Sequence, residues 1–246
     1  MEPIYKQSFH ITDNAADCYG RLKPAMILSY AQEVSGQHCN LLSLDYATLE
    51  KKRLFWAVIR HRVQVTRLPV TGEDITVETW PMPTTRVAFP RSTVAYDSRG
   101  QELFRSISLW VLMDLDSRSM VLPGKSGIVV SGALRGTELA PPNSLVPRPL
   151  GNAVNRTVCF TDLDRNGHMN NARYMDWIDD LLPSGFHKDH PVKEFTVCYL
   201  SEARETELLE LDWELTEGPA LQVDAHRIRT DVSDKKERVF AAKVLF

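Results

Sequence analysis

The sequence predicts an α+β architecture made of two copies of one unit, each a curved antiparallel sheet wrapped around one long helix. Three features predict it: a proline-rich stretch near the middle of the chain, the same order of strand and helix patterns on both sides of it, and one apolar-striped helix for every five strands. Because neither helix could bury its stripe except against the sheet of its own unit, each unit is expected to form its own helix-on-sheet core.

The first unit begins with one strand and one helix. A strand at 4–12 leads through 17–20 into a helix that runs from Leu22 to about His38. Four strand patterns, separated by turn residues that include glycines, follow at 55–68, 74–80, 87–96 and 102–115.

A proline-rich stretch at 131–152 separates the two units. It contains four prolines and few large apolar residues, which is typical of an extended linker. The chain is therefore predicted to consist of an N-terminal domain at 1–130, this linker, and a C-terminal domain at 153–246. The second domain repeats the order of the first, with a strand at 154–160, a helix at 169–182, and strands at 194–200, 207–215, 221–229 and 238–246.

The two predicted helices align at a fixed offset of 147 residues, the separation between Gly20 and Gly167. At this offset the apolar positions coincide, since Ile27, Leu28, Ala31 and Val34 fall on Tyr174, Met175, Ile178 and Leu181. Their spacing places a single apolar stripe on a helix with 3.6 residues per turn. The shared pattern predicts duplication of a strand–helix–four-strand unit.

The composition is that of an ordinary globular protein, with 43% hydrophobic and 25% charged residues. The net charge of −3 argues against a nucleic-acid-binding protein, and no segment approaches the roughly 18 apolar residues of a membrane-spanning helix. The first residues lack the basic and apolar regions of a secretory signal. Four dispersed cysteines without a CxxC pair argue against a disulfide framework or a metal site, so a cytoplasmic protein with reduced thiols is expected.

Candidate catalytic residues concentrate at 162–171, immediately before the second predicted helix. This segment contains two aspartates, three asparagines and one histidine. Asp164 could orient or deprotonate a water, and His168 could carry a proton. Asn166, together with the N–H groups at the start of the helix, could donate hydrogen bonds to a developing oxyanion.

Helix capping is the ordinary explanation for polar residues at such a place, and Asn170 or Asn171 is expected to do this. Capping needs one or two side chains and leaves the others unexplained. At the offset of 147, Asn166 falls on Tyr19 and His168 falls on Arg21. The fold therefore tolerates the loss of both residues, which favours a chemical role for them.

The run DLDRNGHMNNARYMDWIDDLLP at 162–183 resembles the second-domain signature of the fatty acyl-ACP thioesterases. It is also similar to the looser pattern of single-domain hotdog acyl-CoA thioesterases. In the first unit, the runs RLFWAVIRHRVQVTRLP, GEDITVETW and SISLWVLMDLDSRSM resemble the corresponding strands of the acyl-ACP family. The resemblance extends over nearly the whole chain and implies a tandem, or double, hotdog fold.

The resemblance also implies a set of acting side chains, which fall here on Asp164, Asn166, His168 and Glu202. Some family members carry a cysteine directly after the glutamate, where this chain has Ala203, so direct attack of water on the thioester is expected. Whether Asp164 or Glu202 is the base stays open. This chemistry requires no cofactor, and the sequence shows no metal-binding pattern.

The family places its acyl-chain pocket mainly in the first hotdog, where Trp56 and Trp110 are candidate lining residues, although core packing is the ordinary role of such tryptophans. The implied partner is acyl carrier protein, without nucleic acid or membrane. A basic run at 51–53 would suit docking of an acidic carrier, with a solvated helix end as the alternative.

The expected function is therefore hydrolysis of fatty acyl-ACP, which ends chain elongation in fatty acid biosynthesis. An acyl-CoA thioesterase is the nearest alternative. A hotdog hydratase or dehydratase and a non-enzymatic acyl-binding module are more distant ones. Exposed sheet edges leave both a monomer and a homodimer open.

Overall fold

The computed structural model describes residues 4–136, 138–228 and 236–246. The chain divides into two compact units, Met1–Pro142 (unit 1) and Asn143–Phe246 (unit 2). The division lies inside the stretch at 131–152 that the prolines single out. Within the described residues, no helix has the length and apolarity that crossing a membrane requires.

The described part of unit 1 contains a five-stranded antiparallel sheet in the order β1-β3-β4-β5-β2, with a short sixth strand on β5. Its five longer strands lie close to their predicted positions, and these strand predictions are confirmed. They are β1 (Tyr5–His10), β2 (Leu54–Val65), β3 (Asp74–Pro81), β4 (Phe89–Tyr96), β5 (Glu102–Asp114) and β6 (Met120–Val121). The two-residue strand β6 was not predicted, because a pair of residues carries no periodicity.

The long helix of unit 1, α1 (Pro24–Leu41), packs against β1 and β3. It begins two residues later than predicted because Leu22 pairs with Ala16 in an isolated β-bridge, and because proline suits the first turn of a helix. The predicted apolar stripe is buried. Two short helices, α2 (Tyr46–Glu50) and α3 (Pro123–Ser126), were not predicted, since one turn is too short to show a helical period.

The described part of unit 2 repeats the arrangement with strand order β7-β9-β10-β11-β8, again antiparallel. The strands are β7 (Asn152–Thr157), β8 (Glu194–Tyr199), β9 (Leu208–Thr216), β10 (Ala220–Arg227) and β11 (Glu237–Leu245). β7 ends before the predicted Phe160, because Phe160–Asp162 forms a 3₁₀ turn in which the Asp162 carboxylate accepts the Cys159 N–H at 2.9 Å. Arg229, the predicted end of the third strand after the helix, lies outside the described residues.

The helix of unit 2, α4 (Arg173–Asp179), is shorter than the predicted helix at 169–182. Its start is delayed because Met169 pairs with Leu163 in a β-bridge and donates its N–H to another loop. Its end comes before Pro183, which disfavours helical geometry in the preceding residue. A further short helix, α5 (Ser184–Asp189), follows and was not predicted. Tyr174 of α4 packs edge-on against aromatic rings of β8 and β11.

The duplication holds in detail at the offset of 147. A 3₁₀ turn at Asp13–Ala15 corresponds to the one at Phe160–Asp162. The bridge Ala16–Leu22 corresponds to Leu163–Met169, and both Gly20 and Gly167 have φ of +75°, a left-handed conformation that suits glycine. Each unit thus contains a helix packed on an antiparallel sheet, of 18 residues in unit 1 and 7 in unit 2, and the α+β prediction is confirmed.

Candidate active site

Asp164 organises the turn that carries the predicted site residues. One oxygen of its carboxylate, Oδ1, accepts the backbone N–H of Asn166 at 2.8 Å and that of His168 at 3.3 Å. The second oxygen accepts from the Asn166 side-chain amide at 3.4 Å. The Asp164 N–H in turn donates to the His168 carbonyl at 2.8 Å, and Gly167 provides the left-handed residue between them. The sequence therefore brings Asp164, Asn166 and His168 together through one local turn.

Unit 1 contains the same turn with different side chains. Asp17 accepts the backbone N–H groups of Tyr19 at 2.8 Å and Arg21 at 2.9 Å, and its own N–H donates to the Arg21 carbonyl at 2.7 Å. The Arg21 guanidinium pairs with the Asp17 carboxylate at 3.1 Å and lies over the Tyr19 ring. The aspartate is therefore present in both units and performs the same structural task in each.

Glu202 meets His168 from a second loop. Oε2 of Glu202 lies 3.2 Å from Nε2 of His168, and the exposed fractions of the two side chains are 41% and 18%. The loops that carry them are tied together, because Met169 donates its N–H to the Ala203 carbonyl at 2.8 Å and His168 forms a β-bridge with Arg204. The glutamate is thus solvent-accessible, while the histidine is partly enclosed.

The loop that carries Glu202 also has a counterpart in unit 1, at an offset of 134. Glu207 accepts the Arg204 N–H at 3.0 Å, as Glu73 accepts the Val70 N–H at 2.7 Å. Met169 donates to the Ala203 carbonyl, as Leu22 donates to the Pro69 carbonyl. Glu207, Arg204 and Ala203 therefore correspond to Glu73, Val70 and Pro69. At the same offset, Glu202 corresponds to Leu68. Where unit 2 presents a carboxylate, unit 1 buries a leucine.

The comparison between the units separates shared residues from differing ones. The carboxylates that hold loops, at positions 17 and 164 and at positions 73 and 207, are present in both units. Three polar side chains of unit 2, those of Asn166, His168 and Glu202, are replaced in unit 1 by Tyr19, Arg21 and Leu68. The polar constellation therefore belongs to unit 2 alone.

The start of α4 offers fewer backbone donors than the sequence suggests. The N–H of Asn170 donates to the Asp162 carbonyl, that of Ala172 to the Asn170 side chain, and that of Arg173 to the Asn170 carbonyl. Asn170 thus stabilises the turn before the helix, while the N-cap position itself is Ala172, which has no capping side chain. With these donors engaged inside the protein, the exposed Asn166 amide is the better-placed donor for an oxyanion.

A partly buried tyrosine supports the same segment from β8. The Tyr199 hydroxyl donates to the Asn171 carbonyl at 3.0 Å. Burial raises the pKa of Tyr199 well above its ordinary value, with smaller contributions from Tyr174 and Cys198. The hydroxyl consequently keeps its proton and remains a donor. This contact could not be predicted from the sequence, since it joins residues from different elements.

Cys198 is buried in β8, as predicted, and its sulfur lies 3.8 Å from the Asn143 carbonyl. Ala203, at the position after Glu202, is fully buried. None of the four cysteines, all of which the structure describes, forms a disulfide. Among the described residues no group of three or more histidine, cysteine, aspartate or glutamate side chains has the arrangement of a metal site.

Trp56 and Trp110 lie in unit 1, whereas the turn of Asp164 belongs to unit 2. Both are half-buried against one apolar cluster, which consists of Leu49, Leu54, Phe89, Leu112 and Ile128. The Trp56 indole donates to the Leu44 carbonyl at 3.2 Å, and the Trp110 indole donates to the Ser108 hydroxyl at 2.8 Å. Their polar atoms are thus satisfied within unit 1, and their rings contribute to its apolar interior.

The basic run follows α2 in unit 1. Lys51 and Lys52 are exposed, and Arg53 pairs with Asp116 across the neighbouring turn. Arg53 adopts a left-handed backbone conformation with φ of +58°. All three basic side chains are thus exposed, and the charge of Arg53 is compensated by Asp116.

Two sequence models match the chain. The Acyl-ACP thioesterase N-terminal domain matches residues 2–122, and the Acyl-ACP thioesterase C-terminal domain matches residues 151–241. Together they span most of the chain and both of its units. The chain belongs to the acyl-ACP thioesterase family.

Curated relatives agree with this assignment. A chloroplastic palmitoyl-acyl carrier protein thioesterase of Gossypium hirsutum is 27% identical over 222 residues, which are 84% of this chain and 54% of the relative. A chloroplastic dodecanoyl-acyl carrier protein hydrolase of Cinnamomum camphora is 27% identical over 191 residues, which are 72% of this chain and 50% of the relative. The chain spans about half the length of the curated relatives it matches.

Solved structures share the fold over almost the whole chain. An acyl-ACP thioesterase from Bacteroides thetaiotaomicron aligns with a TM-score of 0.83 at 21% identity and covers 99% of this chain and 98% of that one. The 12:0-ACP thioesterase from Umbellularia californica aligns with a TM-score of 0.82 at 22% identity, over 100% and 97% of the two chains. The double hotdog fold predicted from the sequence is confirmed.

Proposed function

We propose that this protein hydrolyses fatty acyl thioesters carried on acyl carrier protein and releases the free fatty acid, ending chain elongation. The observation that carries the proposal is the contact between Glu202 and His168 beside Asn166, in a member of the acyl-ACP thioesterase family. The unit 1 counterparts Leu68 and Arg21 lack this chemistry. One active site per chain follows, and it lies in unit 2.

The reaction consumes one water and needs no redox partner. Glu202 accepts a proton as the water oxygen attacks the thioester carbonyl carbon, and Asn166 donates its amide N–H to the resulting oxyanion. The carbon–sulfur bond then breaks, and the proton returns through His168 to the departing thiolate. Acid and thiol leave, and the side chains regain their starting protonation states.

Glu202 is a better base than Asp164 because of what each carboxylate already does. Asp164 accepts two backbone N–H groups and the Asn166 amide, so its lone pairs hold the turn. Its unit 1 counterpart Asp17 does the same work where no site exists. Glu202 contacts His168 and is accessible to solvent, so a water can reach its carboxylate. We therefore assign Asp164 to positioning and Glu202 to proton transfer.

The mechanism proceeds without an acyl-enzyme. The position after Glu202 is occupied by Ala203, which has no nucleophile, and Cys198 is buried in β8. Direct attack of water is the route that remains compatible with these two residues.

Acyl carrier protein is the proposed carrier, and Lys51 and Lys52 are the proposed docking charges for this acidic partner. Attraction between exposed charges is screened by salt, so docking should weaken as ionic strength rises.

A homodimer is the alternative to a monomer, and multi-angle light scattering separates the two.

We also propose a cytoplasmic location. The absence of disulfides from the four cysteines supports it, because disulfides are rare in reducing compartments. Fractionation of the source cells followed by immunodetection tests this: recovery with membranes or in a secreted fraction would contradict it.

Thiol release from acyl-ACP and acyl-CoA substrates of graded chain length tests the function. Wild-type protein should release thiol with saturated acyl-ACP, and Glu202→Gln should lose about 10²–10⁴ in kcat. Glu205→Gln is the matched control, since it makes the same change at an exposed residue of the same loop and should leave kcat unchanged. Absence of thiol release from either carrier would overturn the proposal, and preference for acyl-CoA would overturn the choice of carrier.

A further inference from the structure

Arg227, the last residue of β10, forms a fork beneath the loop that carries Glu202. Its side chain is only 11% exposed. One terminal nitrogen, Nη2, donates to the backbone carbonyl of Glu202, and Nε donates to Oε2 of Glu207 at 3.0 Å. The other terminal nitrogen pairs with Glu237 at 2.6 Å. The guanidinium therefore holds the backbone of Glu202 directly.

The two carboxylates that Arg227 binds extend the support to both sides of Glu202. Glu237 accepts the hydroxyl of Ser201 at 2.7 Å, and Glu207 accepts the backbone N–H of Arg204 at 3.0 Å. Residues before and after Glu202 are thus tied to the same guanidinium through charge-assisted hydrogen bonds, which are the stronger kind. The planar fork of arginine suits such several-point contact.

Unit 1 places a guanidinium at the same point of its own loop, but from the loop residue directly before Leu68 and not from a strand. Arg67 donates to the carbonyl of Leu68 at 3.4 Å and to both oxygens of Glu73, at 2.8 and 2.9 Å. Leu68 and Glu73 are the counterparts of Glu202 and Glu207. The support is therefore preserved although the arginine that provides it has a different origin. In unit 1 it holds a leucine, whereas in unit 2 it holds the proposed base.

We infer that Arg227 is a positioning residue for the hydrolysis proposed above: it fixes the backbone of Glu202 so that the carboxylate stays against Nε2 of His168. The inference rests on the proposed function. A glutamate that is 41% exposed has many accessible rotamers, and a fixed backbone restricts where its carboxylate can reach. Displacement of a reacting group by about 1 Å can cost roughly 10² in rate, so the support has kinetic consequences.

Two matched alanine variants test the inference. Arg227→Ala and Arg67→Ala remove corresponding supports, and both should lower the melting temperature. The decrease should be larger for Arg227→Ala, because the Arg227 side chain is 11% exposed and that of Arg67 is 45% exposed. Arg227→Ala alone should lower kcat, by about 10–10², with KM within twofold of wild type. Arg67→Ala should keep kcat within threefold. Millimolar guanidinium ion should restore part of the kcat of Arg227→Ala and have no effect on Glu202→Gln.

Arg227→Lys is the second variant, for the case that Arg227→Ala fails to fold. It keeps a positive charge for Glu207 and Glu237 but lacks the planar fork that also reaches the Glu202 carbonyl. It should melt near the wild-type temperature and still lose at least about tenfold in kcat. Full activity in this variant would show that charge alone suffices and would overturn the inference.

The remaining outcomes separate the inference from the function on which it rests. If Arg227→Ala keeps kcat within threefold while Glu202→Gln loses 10² or more, as a missing base predicts, positioning is wrong and the proposed function stands. Equal kcat losses in Arg227→Ala and Arg67→Ala would show that both arginines affect activity only through the stability of the fold, and would overturn the inference. If wild-type protein releases no thiol, a crystal structure of Arg227→Ala still tests whether Arg227 positions Glu202. A Glu202–His168 contact unchanged from 3.2 Å would overturn the inference, and a lost contact would support it.

Discussion

Replacing Asp164 tests whether this carboxylate is the base or the organiser of the turn. Asp164→Asn keeps an oxygen that can accept the two backbone N–H groups now bound by Oδ1. Asp164→Ala removes both bonds, and at about 0.5–1.5 kcal/mol each the protein should lose about 1–3 kcal/mol of unfolding free energy. For a chain of this size that corresponds to roughly 2–12 °C in melting temperature.

The kinetic expectation follows from the same contacts. Asp164→Asn should retain kcat within about tenfold of wild type, because the turn survives, whereas loss of a base costs about 10²–10⁴. Asp164→Ala should lose about 10² or more, because Asn166 and His168 both depend on the turn for their positions. Asp17→Ala, the matched variant in unit 1, should lower the melting temperature by a similar amount and leave kcat nearly unchanged.

Steady-state thiol release and differential scanning calorimetry measure the two effects separately. The decisive comparison is between Asp164→Asn and Glu202→Gln, which remove one negative charge each with little change in volume. If Asp164→Asn melts like wild type and loses 10² or more in kcat while Glu202→Gln stays active, Asp164 is the base and the assignment given above is reversed.

Three further outcomes are expected. Charge reversal at Lys51 and Lys52 should raise KM several-fold for acyl-ACP and not for acyl-CoA. Added salt should narrow the difference in KM for acyl-ACP between the variant and wild type. Equal effects on the KM of both substrates would exclude docking at these lysines. Cys198→Ser should keep most activity, and mass spectrometry after rapid quench should detect no acylated cysteine; an acyl adduct would contradict direct water attack. Burial lowers the pKa of His61 to about 4, below its unfolded value of about 6.5. Between these two values the unfolded chain binds a proton that the folded chain does not. The free energy of unfolding should therefore fall by up to about 3 kcal/mol from pH 7 to pH 4. His61→Gln should flatten that dependence in urea titrations, and an unchanged slope would show that another group is responsible.

The sequence predicts the repeated fold well because the evidence of repetition is local. The glycines at 20 and 167 and the apolar stripes of the two helices are visible as spacing. The structure confirms both glycines and the whole first stripe, whereas in the second stripe Leu181 lies beyond the end of α4 and is only partly buried. The start of α4 could not be predicted, since Met169 is held by a bridge to Leu163 and a bond to Ala203, and neither partner is adjacent in the chain. Short elements such as α5 lack the length to show a period.

The candidate site was accessible from the sequence only in part. Asp164, Asn166 and His168 stand within five residues, so their proximity could be predicted from one turn. Glu202 was identified through family resemblance, and only the structure shows it against His168. Arg227 gave no sequence signal at all, because an arginine at a strand end is ordinary and its partners lie in other elements.

The most direct test compares His168→Ala in unit 2 with Arg21→Ala in unit 1, its counterpart in the repeated turn. Thiol release from saturated acyl-ACP should show a loss of about 10²–10⁴ in kcat for His168→Ala. Arg21→Ala should stay within a few fold of wild type, with both variants folded by circular dichroism. If Arg21→Ala abolishes turnover while His168→Ala retains it, the active site does not lie in unit 2.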